Sequence, residues 1–103
     1  MRVLWMEQAQ EALSQANQFI LEEYGRKASE AFLLRMYKVG SLLADNPNMG
    51  ALETLLEGRS FAYRSIVVNR LNKIVYRVVE DRIEIADVWD TRREPQQQAD
   101  GVK

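Results

Sequence analysis

The sequence contains no cysteine and no histidine. Without cysteine, the chain cannot form a disulfide bond, a thiolate metal site or a cysteine nucleophile. Without histidine, it lacks the commonest general base and the commonest neutral metal ligand, so a Ser–His–Asp triad is excluded. The sequence also has no glycine-rich phosphate loop and no dinucleotide-binding fingerprint. We therefore expect neither a cofactor nor a metal ion.

Long apolar runs are missing as well, so no transmembrane helix is predicted. The first residues reach Glu7 and Glu11 too soon for the apolar part of a secretory signal. A chain of 103 residues with 47% hydrophobic and 28% charged residues is typical of one globular domain. We expect this domain to be cytoplasmic.

Charge is distributed unevenly, although the formal net charge is only −1. Residues 1–58 carry five basic and eight acidic side chains, whereas residues 59–103 carry nine basic and seven acidic ones. The stretch from Arg59 to Arg77 contains five basic residues and no acidic one. A positive segment of this kind can attract phosphate or an acidic partner.

Two amphipathic helices are predicted in the first half of the chain. Apolar residues recur at three- and four-residue intervals from Glu7 to Tyr24, and again from about Lys27 to Ala44. Gly25 can end the first helix because glycine tolerates positive φ, and Pro47 disfavours helical geometry at the residue before it. The short break predicts an antiparallel helical hairpin. Gly40 lies inside the second helix, which suggests close approach by a neighbouring helix.

Strand signals lie on both sides of this hairpin. Residues 2–5 (RVLW) are β-prone, and residues 61–68, 73–79 and 82–89 are rich in β-branched and aromatic types. A two-residue turn at Glu80–Asp81 would pair Arg77 with Glu84 and Tyr76 with Ile85. Side-chain alternation then assigns one set of residues to the core face: Ile74, Tyr76, Val78, Ile83, Ile85 and Trp89.

The order of elements predicts an α+β fold of the type β-α-α-β-β-β. An N-terminal helical hairpin would pack on one face of a small antiparallel sheet and leave the other face open. We expect residues 1–95 to form a single domain and residues 96–103 to form a flexible polar tail.

The basic residues of the second half form the candidate site. On a bent sheet, Arg64, Lys73 and Arg92 would converge on the open face, where they could clamp a phosphodiester and stabilise charge that develops during its cleavage. The other basic residues would bind nucleic acid or a protein target: Arg59, Arg70, Arg77 and Arg93. The alternative is that exposed faces and edge strands carry these cations only to prevent edge-to-edge aggregation.

Five segments, in their order and spacing, resemble the RelE/ParE superfamily of bacterial toxins: WMEQAQEAL, LLADNPNMG, FAYRSIVV, NKIVYRVV and VWDTRREP. The resemblance extends from Val3 to about Pro95. It implies the toxin of a type II toxin–antitoxin pair, a growth inhibitor that a cognate antitoxin neutralises. The antitoxin is expected to add a strand to the sheet, beside RVLW or the strand opened by Phe61, and to place a helix on the hairpin.

The resemblance implies two different activities. RelE-like members cut mRNA in the ribosomal A site with basic residues and usually a C-terminal Tyr or His, whereas ParE-like members poison DNA gyrase through protein contacts. By motif, Arg64, Lys73 and Arg92 fall where the RNA-cutting members keep basic catalytic groups. The proton-transfer position falls within Gln96–Gln98, and glutamine cannot exchange a proton at neutral pH.

We therefore favour ParE-like action on a protein target such as DNA gyrase. Two alternatives stay open. One is a ribosome-dependent mRNA endoribonuclease, which would rely on charge stabilisation with the RNA 2′-OH as nucleophile. The other is an inactive toxin that acts only as a binding module.

Overall fold

The computed structural model describes residues 1–93 and 95–102. It has the predicted α+β architecture, with a helical hairpin packed against a sheet. The elements follow one another in this order: β1 (Arg2–Trp5), α1 (Glu7–Tyr24), α2 (Arg26–Asp45), β2 (Ala51–Leu52), a 3₁₀ turn (Thr54–Leu56), β3 (Tyr63–Val67), β4 (Asn72–Val79), β5 (Arg82–Asp90) and α3 (Pro95–Gly101).

The helical hairpin turns at a single residue. Gly25 has φ of 89° and ψ of 175°, a conformation that favours glycine, and its N–H donates to the Leu21 carbonyl. Helix α2 begins at the next residue and ends at Asp45, just before Asn46 and Pro47. Both predicted helices are confirmed to within about one residue at each end.

The sheet has five strands in the order β1-β5-β4-β3-β2. Strands β2 to β5 pair antiparallel, but β1 pairs parallel to β5, with Arg2 beside Arg82 and Trp5 beside Ile85. The sheet is therefore mixed rather than wholly antiparallel. The hairpin carries the chain from β1 at one edge of the sheet to β2 at the other.

The β4–β5 hairpin has the predicted register. Arg77 pairs with Glu84 and Tyr76 pairs with Ile85, across a turn in which Glu80 has φ of 57°. Beyond these pairs the register shifts, because Val75 pairs with Asp87 and leaves Ala86 as an extra residue of β5.

This β-bulge changes the face on which the end of β5 packs. Val88 joins the core beneath the hairpin, while Trp89 packs on the opposite side of the sheet. The predicted place of Trp89 on the hairpin side was therefore wrong, because an extra residue reverses the alternation of side chains. The other five predicted core residues do pack on the hairpin side.

The second face of the sheet is covered rather than open. Helix α3 packs there, and Ala99 is fully buried in a cluster with Leu56, Tyr63, Val75 and Trp89. This helix has a buried side and includes residues 96–101 of the expected tail, whereas Lys103 lies outside the described residues. We call the two sides of the sheet the hairpin face and the α3 face.

Gly40 is approached closely, but by a strand residue and not by a helix. A Cβ atom at Gly40 would lie 3.0 Å from the Trp5 indole. The glycine therefore lets α2 pack directly over the end of β1. The indole in turn meets the Tyr37 ring edge-on at 5.5 Å between ring centroids.

Candidate functional site

Arg64 and Lys73 project from opposite faces of the sheet. Arg64 pairs with Tyr76, which lies in the core of the hairpin face, and Lys73 pairs with Trp89, which lies on the α3 face. Because paired residues of a sheet point to the same side, the two cations cannot meet at one substrate. The predicted convergence of Arg64 with Lys73 was therefore wrong in its geometry.

Arg64 supports the loop that follows α2. Its Nη1 donates to the Gly50 carbonyl at 2.8 Å. The same loop is fixed by the buried Tyr76 hydroxyl, which donates to the Pro47 carbonyl and accepts from the Gly50 N–H, both at 2.9 Å. These hydrogen bonds bring together three of the segments that carry the family resemblance: LLADNPNMG, FAYRSIVV and NKIVYRVV.

Lys73 is held by Glu53 on the α3 face. The ammonium group pairs with the Glu53 carboxylate and lies 5.1 Å from the centre of the Trp89 ring. Burial alone would raise the pKa of Glu53. The hydrogen bonds from Lys73, the Leu55 N–H and Ser65 outweigh this effect and lower the pKa below its ordinary value. Lys73 is therefore a neutralised structural cation.

Arg77 is paired in a similar way. Its Nε donates to Glu84 at 2.8 Å and its Nη1 donates to the Tyr63 hydroxyl at 2.9 Å, while the guanidinium lies 4.0 Å from the centre of the Phe61 ring. Glu84 also accepts from Arg82 at 2.9 Å. Burial opposes the ionisation of Glu84, but these bonds outweigh it and lower its pKa.

Arg92 lies beyond the end of β5, beside the hairpin. Its guanidinium makes two hydrogen bonds to Asp90, at 3.1 and 2.9 Å, and lies 5.1 Å from the centre of the Phe19 ring. The hydrogen bond from Arg92 is the main reason that the pKa of Asp90 is lowered. Arg92 is about half exposed, so it is more accessible than Lys73.

Arg59 binds the end of α3. Its guanidinium donates to the backbone carbonyls of Ala99 and Val102, at 2.8 and 2.5 Å. These are carbonyl groups near the C-terminal end of the helix, which lack a partner within it. Arg59 therefore holds α3 against the sheet, and this contact gives it a structural role.

Arg70 and Arg93 are exposed. Within residues 1–93 and 95–102, neither side chain makes a hydrogen bond or an ion pair. Of the seven cations predicted for the site, these two have no hydrogen bond or ion pair within the described residues, whereas Arg92 is paired with Asp90 but about half exposed.

The two strand tyrosines, Tyr63 and Tyr76, are not in position for proton transfer beside Arg64. Tyr63 is buried on the α3 face, on the opposite side of β3 from Arg64, and Tyr76 is buried within the hydrogen bonds of the loop. Gln98, one of the residues at the predicted proton-transfer position, bonds the Asp90 backbone through both its oxygen and its nitrogen. It therefore fastens α3 to the end of β5.

The sequence of this chain matches a known protein family. The family described as the ParE toxin of type II toxin–antitoxin systems, parDE, matches residues 3–95. The chain belongs to the ParE toxin family. The resemblance read from the sequence motifs is thus confirmed.

Structural comparison agrees with the assignment to the ParE family. The chain matches "Chromosomal ParDE TA system from P. aeruginosa" with a TM-score of 0.72 and 16% sequence identity, over 87% of this chain and 95% of that one. At this identity the likeness shows a shared fold. A comparison with curated proteins found no match. Among the described residues, no helix of this ParE-family chain is long and apolar enough to cross a bilayer.

Sequence reasoning placed Glu84 opposite Arg77 but missed two other acidic partners of the site cations, Glu53 and Asp90. Glu53 lies 20 residues from Lys73 in the sequence, in a connection without a clear period, so no local pattern could join them. Asp90 is two residues from Arg92, and this proximity was a usable signal. Asp87 is also buried, and burial raises its pKa although it accepts from Val88, Gln8 and Trp89.

Proposed function

We propose that this ParE-family toxin inhibits growth without catalysis, by binding a protein target such as DNA gyrase in the cytoplasm. A cognate antitoxin, encoded by an adjacent gene, neutralises it. The observation that carries the proposal is that each candidate catalytic cation already has a partner within the chain. Lys73 is paired with Glu53, Arg92 is paired with Asp90, and Arg64 is bonded to a loop carbonyl on the other face of the sheet.

The arrangement lacks what cleavage of a phosphodiester requires. Charge stabilisation works when preorganised cations face the place where negative charge develops. Here Lys73 and Arg64 face away from each other, and the carboxylates offset their neighbours' charge. General acid–base catalysis also needs a proton-transfer group near the substrate, and the tail offers glutamines at that position.

Binding to a protein target requires exposed side chains but neither convergent cations nor a proton-transfer group. Arg70 and Arg93 are exposed and unpaired within the described residues, and Arg92 is half exposed beside Phe19. Arginine beside an aromatic ring is common at the centre of protein interfaces. These three residues are the ones we assign to contact with the target.

The test is controlled expression in a bacterial host. We expect early loss of DNA synthesis and induction of DNA repair, while incorporation of labelled amino acids continues. Purified toxin is expected to inhibit supercoiling by DNA gyrase. Arg93→Glu should weaken both the loss of DNA synthesis and the inhibition of supercoiling. The matched control is Arg26→Glu, which makes the same change of charge on the helical hairpin and should leave both activities unchanged.

Early loss of protein synthesis with cut mRNA would instead support the ribosome-dependent endoribonuclease. In that case Arg64, Lys73 and Arg92 would have to contact RNA despite their present partners. Absence of any growth effect from a folded chain would support the inactive binding module. Either result would remove the proposed action on gyrase.

The antitoxin part of the proposal has its own test. The product of the adjacent reading frame should co-purify with the toxin and restore growth when both are expressed. Failure to bind in both orders of tagging would count against the pairing, even if the toxin itself is active.

A further inference from the structure

A pocket lies between helix α1 and the end of β5, on the hairpin face of the sheet. It has a volume of about 300 Å³, which is at the small end of the range for sites that bind small molecules. Arg92 and Arg93 line it, so it opens beside two of the three arginines that we assign to contact with the target. Its apolar walls come from α1, the β3–β4 turn and β5: Ala12, Ala16, Ile20, Leu71 and Val88.

The pocket is also lined by a polar side chain, Asn72, that is only 6% exposed. The Asn72 backbone N–H donates to the Asn69 side chain at 2.8 Å, but its side-chain amide makes no hydrogen bond within residues 1–93 and 95–102. No side-chain nitrogen or oxygen in that part of the chain is both sealed from solvent and unpaired, so the Asn72 amide must be accessible from the pocket. Because buried polar groups are normally hydrogen-bonded, this amide indicates a place for a partner.

The two segments at the mouth of the pocket are fixed to each other. The Thr91 N–H donates to the Leu71 carbonyl at 2.7 Å, and the Thr91 hydroxyl donates to the Arg70 carbonyl at 3.0 Å. The turn that carries Arg70 is therefore tied to the segment that carries Arg92 and Arg93. The three arginines are thus held at one end of the sheet before a partner binds, which lowers the entropy lost on binding.

Arg93 is the arginine best placed to pair with an anion at this pocket. It is exposed and forms no ion pair within the described residues. Asp87 and Asp90 are near enough for their charges to interact with it, and Arg92 already bonds Asp90. Because these carboxylates repel further negative charge, the mouth of the pocket suits one carboxylate better than a polyanion.

We propose that this pocket anchors a segment of the protein target in which an apolar side chain lies next to a carboxylate. The apolar side chain would fill the space between Ala16 and Val88, and the carboxylate would pair with Arg93. The Asn72 amide has both a donor and an acceptor, so it can bond the N–H and the C=O of the inserted backbone. This inference rests on the proposed action on a protein target and adds the place and the chemistry of the contact.

Nucleic acid fits the pocket less well than a polypeptide does. Proteins that bind single strands offer aromatic faces on which the bases stack. Phe19, the ring that lines the pocket, already meets the Arg92 guanidinium 5.1 Å from its centre and the Tyr24 ring edge-on at 6.5 Å. The Asp90 carboxylate, which also lines the pocket, opposes the approach of phosphate groups.

The experiment measures how strongly the full toxin chain inhibits supercoiling by purified DNA gyrase. Ala16→Leu would fill the pocket from α1 and should raise the concentration needed for half inhibition at least tenfold. Ala31→Leu makes the same change at an exposed position of α2, away from the pocket, and should leave that concentration unchanged. Circular dichroism and thermal unfolding check that each variant is folded.

A second pair of variants tests the buried amide without changing its size. Asn72→Asp removes the N–H donor and places negative charge beside the incoming carboxylate, so it should also weaken inhibition at least tenfold. Asn48→Asp makes the same change in the exposed loop after α2 and should leave inhibition unchanged. Calorimetry with gyrase gives the matching affinities. This pair decides the question if Ala16→Leu does not fold.

The outcomes separate this inference from the proposed function. If folded Asn72→Asp inhibits gyrase as strongly as the parent chain, the pocket is not the site, although the action on gyrase stands. Equal losses in Asn72→Asp and Asn48→Asp would show a general effect of charge and would also overturn the inference. Binding of the parent chain to DNA without gyrase, if Asn72→Asp abolishes it, would assign the pocket to nucleic acid instead. No inhibition by the parent chain would overturn both proposals.

Discussion

Lys73 and Glu53 form an ion pair across the α3 face of the sheet, with their side chains only 22% and 6% exposed. Glu53 belongs to the connection between β2 and the 3₁₀ turn, so the pair ties this irregular segment to the start of β4. The Ser65 hydroxyl donates to the same carboxylate at 3.0 Å. The pair gives Lys73 a role that its place in the sequence motif does not suggest.

Glu53→Gln is expected to lower the free energy of unfolding by about 2 kcal/mol, because Lys73 would stay partly buried without a counter-charge. Urea unfolding measures the change. Glu57→Gln is the matched control, since Glu57 is exposed and forms no ion pair among the described residues, and it should change stability by less than about 0.5 kcal/mol. Equal stability of the two variants would contradict the role given to the pair.

Acid should weaken the fold partly through Glu53. Its pKa is lower in the folded chain than its ordinary value of 4.5, so the unfolded chain binds more protons in this range. The stabilisation is therefore present above about pH 4.5 and is lost as the pH falls through the folded pKa. Glu53→Gln should give a flatter acid limb, measured as urea midpoints between about pH 6 and about pH 3. Glu57→Gln should lose stability with falling pH as steeply as the parent chain does. If Glu53→Gln also loses stability as steeply as the parent chain, Glu53 does not contribute to the acid sensitivity of the fold.

Gly50→Ala is expected to destabilise the chain by about 2 kcal/mol, because the added Cβ would lie 2.7 Å from the Ser65 carbonyl and 2.9 Å from the Tyr76 ring. Thermal unfolding gives the measurement. Gly101→Ala serves as the control, since its Cβ would meet only Gln8, at an ordinary contact distance of 3.8 Å. A Gly50→Ala chain as stable as this control would mean that the loop moves aside without cost.

Arg59→Ala should release α3 while leaving the hairpin and the sheet intact. Loss of the bonds to Ala99 and Val102 is expected to cost about 1 kcal/mol locally, which corresponds to roughly fivefold to tenfold faster amide exchange in α3. Hydrogen-exchange mass spectrometry of the C-terminal peptide measures this exchange rate. Arg70→Ala removes an exposed arginine without such bonds and should exchange like the parent chain. Equal rates in the two variants would show that Arg59 does not hold the helix.

The fold was largely predictable because its main signals are local. The periodicity of α1 and α2, the break at Gly25 and the turn at Glu80–Asp81 all depend on residues close together in sequence. Register followed from that turn, since pairing Arg77 with Glu84 fixes the neighbours on either side. The bulge at Ala86 has no comparable local signal, so the face of Trp89 could not be predicted.

The site was less predictable because its charges are neutralised over longer distances. A run of cations from Arg59 to Arg77 looks like a positive patch when acidic residues are counted only within it. In the structure, Glu53 and Glu84 approach from elements outside the run and pair with Lys73 and Arg77. Counting charge along a segment therefore overestimated the field that a partner would meet.

By itself, the sequence determined the helical hairpin, the β-hairpin register and membership of the toxin superfamily, because these depend on short-range periodicity and ordered motifs. Only the tertiary structure decided that β1 runs parallel to β5, that α3 covers the second face, and that Arg64 and Lys73 lie on opposite faces of the sheet. The physical reason is the same in each case. Contacts between residues far apart in sequence depend on how the elements pack, and packing fixed which cations are neutralised and which are left for a partner.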